Sequence, residues 1–186
     1  MNRKEKQSFP PEPHDNEAIL VWLMEEYGDM VIRLAFTYVK QKELAEDIAQ
    51  EVFISCYKHA HSFKGNSSYQ TWVYRITVNK CKDVLKSWSL KNIFYKEISK
   101  VLHFSPVIDE EDVEKLEEKE ALFKEVLALP VKHREVLILH YYEDLSVHEI
   151  ADLLKVNSNT VKTRLHRARA KLRGSLEKGA FSWKIN

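Results

Sequence analysis

LSVHEIADLLKVNSNTVKTRLHRARAKLR, residues 145–173, is the stretch on which the fold turns. Val147, Ile150, Ala151 and Leu154 recur at the i, i+3, i+4, i+7 spacing that lines one face of a short helix, and Ser146 stands where an N-cap belongs. Lys155, Val156 and Asn157 break the pattern. It then resumes with Val161, Leu165, Ala168 and Leu172 on a second helix, capped by Asn157 or Ser158. Two short helices joined by so tight a break form a helix-turn-helix, and the second has the width of a DNA major groove. Asn159, Lys162, Thr163, His166 and Arg167 occupy its exposed positions near the N-terminus, where base-edge contacts arise. Asn157 to Lys178 carries seven bases against one acid, Glu177. A helical hairpin made only to bind protein has no need of such a charge.

Outward from this stretch, the whole chain has 186 residues and a formal net charge of +1, with 44% hydrophobic and 31% charged residues. That composition excludes collagen-like, mucin-like and wholly disordered chains. Near-neutrality argues against a polyanionic partner until the charge is resolved by segment. Lys58 to Lys96 holds eight bases against Asp83, Asp109 to Glu120 holds eight acids against Lys115 and Lys119, and Asn157 to Lys178 is basic again. Two basic zones of similar size on separate helical units point to a polyanion met at two places. Only 4 Gly and 5 Pro leave few turn signals for a many-stranded fold, so the body is expected to be all-α.

The first 16 residues are polar and Pro-rich and read as a disordered tail. Helical stretches are expected at about 17–27, 29–40, 43–61 and 70–88, the third with a buried stripe of Leu44, Ile48, Val52 and Cys56. These make a first domain, 17–88. Residues 89–113, broken at Ser105-Pro106, read as a flexible linker with a helical turn around Ile93 to Leu102. A second domain, 114–176, starts with an acidic helix at about 114–128 that Pro130 ends; apolar spacing resumes at Val136 and Leu139 to Tyr142, and 177–186 is a C-terminal tail. Cys56 and Cys81 lie in apolar helical patterns and read as reduced core residues. With no signal-like run at the N-terminus and no stretch long and apolar enough to span a bilayer, the chain reads as cytoplasmic.

Four stretches in this order resemble bacterial RNA polymerase sigma factors of the extracytoplasmic-function (ECF) group, within the sigma-70 family: AEDIAQEVFISCYKH (45–59), SFKGNSSYQTWVYRITVNKCKDVLK (62–86), LPVKHREVLILHYYEDLSVHEIADLL (129–154) and VNSNTVKTRLHRARAKLR (156–173). The resemblance implies two small helical domains, sigma region 2 and region 4, joined by a linker. It implies that Asp47, Gln50, Glu51 and Phe53 face the clamp helices of core RNA polymerase, acids and an exposed aromatic suiting an arginine-rich partner. Phe63, Lys64, Gly65, Tyr69, Trp72 and Arg75 match the element around the extruded minus-10 base. An aromatic pocket and nearby cations are what a flipped base and its phosphates require. Trp72 fits stacking on DNA and a core position equally.

Asn79, Lys80, Asp83 and Lys86 match the helix facing the minus-10 duplex, with Lys86 where the family often has Arg, so the bidentate fork is lost. Lys162, Thr163, Arg164, His166 and Arg167 match the minus-35 recognition helix, with Arg164, Arg169 and Lys171 read as phosphate contacts or solvated charges. Two departures fall in the turn: Lys155 and Asn159 stand where the family has Gly, and Lys155 is expected in a left-handed conformation. The partners implied are core RNA polymerase, promoter DNA and an anti-sigma factor, often membrane-anchored, with no cofactor, metal or small-molecule substrate.

Two other readings compete. A stand-alone helix-turn-helix regulator would bind duplex operators as a homodimer without polymerase. A metal-dependent hydrolase or nuclease finds no support, because the acids form one contiguous run and His59 and His61 would point to different faces of a helix. The expectation is a non-enzymatic initiation factor.

Overall fold

The computed structural model describes residues 15–63, 65, 67–90 and 113–178. The tail read as disordered, Lys64, the linker with its helical turn and the last eight residues lie outside them, apart from the edges of these segments. The chain divides into two compact units, Met1–Ile93 and Phe94–Asn186. All regular structure among the described residues is helical.

The first unit is built from α1 (Asn16–Val39), α2 (Lys42–His59), a 3-10 turn (Ala60–Ser62) and α3 (Tyr69–Leu90). Asp15 Oδ1 accepts from the Ala18 amide at 2.9 Å and starts α1; Lys40, at φ 59°, ends it in a left-handed turn whose N–H donates to Phe36 O. The two helices expected at 17–27 and 29–40 are therefore one. Gly28 sits inside it at a local cost of about 1 kcal/mol. Burial of Leu23, Met30, Val31, Leu34 and Tyr38 on the two sides of that glycine outweighs it. α2 contributes Ala45, Ile48, Ala49, Val52, Phe53 and Cys56, and α3 contributes Val73, Tyr74, Val78 and Cys81 to the same core. Leu44, expected in the stripe, is only half-buried. Buried Thr37 and Thr77 donate their hydroxyls to the carbonyls of Leu34 and Val73, so neither leaves a polar group unsatisfied.

The second unit comprises α4 (Val113–Ala128), α5 (Val131–Leu137), a π-helical turn (Ile138–Tyr142), α6 (Val147–Leu154) and α7 (Ser158–Lys178). Pro130 separates α4 from α5. The buried Arg134 guanidinium donates to the carbonyls of Leu127 and Leu129 at 3.2 and 2.8 Å, serving acceptors at the end of α4. The π turn, closed by Glu143 N to Ile138 O at 3.1 Å, widens the helix, so Leu139 stays in the core while Tyr141 and Tyr142 turn to solvent.

α6 opens with a full capping box. The Ser146 hydroxyl accepts from the Glu149 amide, and the Glu149 carboxylate accepts from the Ser146 amide at 2.8 Å. Those hydrogen bonds hold the Glu149 carboxyl below its ordinary pKa. α6 ends at Lys155, in the left-handed conformation at φ 54°, ψ 49°. Asn157 then caps α7, its Oδ1 accepting from the Asn159 amide at 2.7 Å. Ile150, Ala151, Leu153 and Leu154 of α6 pack with Val161, Leu165 and Ala168 of α7 in the core of this unit. No helix among the described residues is long and apolar enough to cross a membrane.

Candidate nucleic-acid interface

α7 presents Asn159, Lys162, Thr163, His166 and Arg167 to solvent from its first turns, and Arg169, Lys171 and Arg173 farther along. The Thr163 hydroxyl donates to Asn159 O at 2.8 Å, which leaves its oxygen free to accept. Arg169 reaches the Tyr141 hydroxyl at 3.3 Å. Arg164 differs from these neighbours: its Nη1 donates to Glu135 Oε1 at 2.9 Å, and Glu135 is 4% exposed, so this side chain is paired with α5. A buried carboxylate without a counter-charge is expensive, and Arg164 supplies the charge.

Sequence reasoning passed over His133. It is 5% exposed on α5, and its Nδ1 is buried without a hydrogen-bond partner among the described residues. Burial, and then the positive charges of Lys132, Lys171, Arg167 and Arg164, push its pKa below the ordinary value. Both effects disfavour the charged imidazolium.

In the first unit an aromatic cluster forms where the loop before α3 meets α1. Phe63 stacks on Tyr69 with centroids 4.4 Å apart, Trp72 lies 5.1 Å from Phe63, and Trp22 of α1 meets Tyr69 edge-on at 5.3 Å. Tyr27 adds a further edge contact to Trp22 at 5.7 Å. Phe63, Tyr69 and Trp72 are brought together, and all are half-buried. Trp22 and Tyr27 were missed, because nothing local in α1 announces a partner so far along the chain. Trp72 belongs to the cluster and keeps part of its surface in solvent.

Local chemistry places this loop. Gly65 takes φ +67°, with open space around a hypothetical Cβ, so it is the backbone conformation that favours glycine there. Ser68 Oγ accepts from the Thr71 amide at 3.1 Å and caps α3. Along α3, Arg75 is half-buried, with its Nε lacking a partner among the described residues, and Asn79 is exposed. Asp83 and Lys86 form a loose exposed pair at 3.8 Å. Lys80 Nζ contacts Glu51 Oε2 of α2 at 3.0 Å.

On α2, Asp47, Gln50 and Glu51 are exposed. Phe53 is not: at 7% exposure it belongs to the core beside Val52 and Cys56, which corrects its expected role as an exposed aromatic. The exposed apolar residues of this helix are Ile54 at 53% and Tyr57 at 41%, on the face that Asp47 and Gln50 begin at helical spacing. Among the described residues no group of histidines, cysteines and acids is arranged to hold a metal ion. Cys56 and Cys81 are free and buried, and burial pushes each thiol up to about 12.

Two family models match the chain: Sigma-70 region 2 over residues 23–89 and Sigma-70, region 4 over residues 119–172. The chain is 33% identical to the ECF RNA polymerase sigma factor SigW of Bacillus subtilis (strain 168), over 83% of this chain and 87% of that relative. It is 32% identical to the RNA polymerase sigma factor SigV of the same organism, over 89% and 96%. In fold it is similar to the sigma factor RpoE in the co-crystal structure with the anti-sigma factor NepR from Bartonella quintana. That likeness has a TM-score of 0.68 at 19% identity and covers 84% of this chain and 96% of that one. The chain belongs to the ECF RNA polymerase sigma factors, a family of transcription initiation factors.

Proposed function

We propose that region 2 (17–88) binds core RNA polymerase through the exposed α2 face of Asp47, Gln50 and Glu51. In the same region the aromatic cluster around Phe63, Tyr69 and Trp72, with Lys64, Arg75, Asn79 and Lys80, takes the minus-10 element. Region 4 (114–176) reads the minus-35 element with Lys162, Thr163, His166 and Arg167, while residues 89–113 link the two. Melting then needs no nucleoside triphosphate and no catalysis by this chain, since binding of the extruded base offsets the cost of unstacking. An anti-sigma factor that covers these faces would regulate it, and the chain would act in the cytoplasm.

The observation that carries this reading is the segregation of α7. Lys162, Thr163, His166 and Arg167 are exposed near the capped N-terminus of the second helix of a helix-turn-helix, and Arg164 alone among these neighbours is turned inward. Run-off transcription with purified core polymerase on a promoter library tests it. Initiation from defined sites is expected. Failure to co-purify with core enzyme and to direct any start would refute it, and tight duplex binding without polymerase would favour the stand-alone regulator.

A further inference from the structure

Glu51 and Lys80 lie on different helices and, in the proposed function, face different partners, yet in the free chain they hold each other at 3.0 Å. We propose that this ion pair couples polymerase binding to minus-10 DNA binding: it keeps Lys80 neutralised until the polymerase takes Glu51. The inference rests on the assignment of α2 to the polymerase and α3 to the minus-10 duplex.

The argument is electrostatic. With a carboxylate at contact distance the Lys80–Glu51 pair carries no net charge, so an approaching phosphate meets the repulsion of Glu51 beside the attraction of Lys80. The pair is also accessible. Side-chain exposures of 38% for Lys80 and 60% for Glu51 leave room for a cation to reach the carboxylate from outside. A guanidinium on the partner has the geometry to displace a lysine, because its fork binds a carboxylate bidentately and an ammonium does not. Once Glu51 is engaged, the charge of Lys80 is unbalanced and becomes available to a phosphate. By linkage the effect is reciprocal, so DNA held by Lys80 strengthens the grip of Glu51 on the polymerase by the same factor.

The test uses the full chain, core polymerase and a promoter duplex selected with the wild type from a run-off library. Affinity for core enzyme without DNA is measured for wild type, Lys80→Met, Glu51→Gln and the double variant; promoter affinity of each assembled holoenzyme follows across a salt series. Lys80→Met is expected to act with opposite signs. It should tighten core binding about two- to fivefold, the worth of an exposed ion pair that no longer has to break. It should also weaken promoter binding and reduce the salt slope by about 0.9, one phosphate contact. Glu51→Gln should weaken core binding and abolish the tightening caused by Lys80→Met. Lys80→Gln, which removes the same charge, should repeat the result and exclude an effect peculiar to methionine. A Lys80→Met protein that binds core no more tightly than wild type, while wild type still initiates, overturns the coupling. A wild type that directs no start overturns instead the functional reading beneath it.

Discussion

Arg164 Nη1 donates to Glu135 Oε1 at 2.9 Å, tying α7 to α5 through a carboxylate that is 4% exposed and a guanidinium that is 23% exposed. Removing Arg164 takes a counter-charge away from a buried carboxylate, which is costly. Arg164→Ala should therefore destabilise region 4 by about 3 kcal/mol, read from urea unfolding. Combining it with Glu135→Gln should recover part of the loss. Minus-35 preference of the folded fraction should be unchanged, because this arginine faces the core.

The exposed residues of α7 should behave in the opposite way. Arg167→Ala and Lys162→Ala are expected to weaken discrimination at the minus-35 element, by about 1–3 kcal/mol where a base edge is lost. Unfolding midpoints and core polymerase affinity should stay at wild-type values. Binding to a panel of minus-35 variants by the holoenzyme reads the first effect, and titration with core enzyme reads the second. Loss of core binding in either variant would sink the division of labour between the two regions.

What could be read in advance was local. The Ser146 cap, the Lys155 turn and the Val161, Leu165, Ala168 stripe are decided within a few residues, and the structure has them where the pattern puts them. What escaped was decided by contacts distant in sequence. Gly28 looks like a break until the packing of α1 on α2 and α3 is added, and Trp22 looks like an ordinary helix residue until Tyr69 arrives beside it. Phe53 adjoins the Val52 stripe, so helical period alone allows it on either flank; the packed fold turns it inward and leaves Ile54 outside. Arg164 was one cation among many until buried Glu135 was found 29 residues away.

His133 gives region 4 a sensitivity to acid. Its folded pKa lies below the ordinary 6.5, so the unfolded chain binds the proton more readily than the folded one. Stability is therefore complete above pH 6.5 and declines as the pH falls from there through the lowered folded value. Lys132 on its own helix and Arg164, Arg167 and Lys171 on α7 add to the effect of burial. Urea unfolding at pH 7.5 and pH 5.5 should show a larger acid loss in wild type than in His133→Gln. Equal losses would mean that this imidazole does not titrate differently on folding.

The first helix of the helix-turn-helix, α6, offers the last test, since one of its ends is stabilised and the other strained by separable causes. Ser146→Ala removes the hydroxyl that accepts from the Glu149 amide, and the loss of such a cap should cost about 1 kcal/mol. Lys155 stands at φ 54°, ψ 49°, where a Cβ is disfavoured. Lys155→Gly should relieve that strain, and after the added freedom of the unfolded chain is subtracted a gain of up to about 1 kcal/mol remains. The two residues share no hydrogen bond and act at opposite ends of α6, so the double variant should sit near the sum of the single effects. Thermal unfolding of the four proteins measures it. A Lys155→Gly protein less stable than wild type would show that the lysine side chain contributes more through its contacts than its backbone conformation costs.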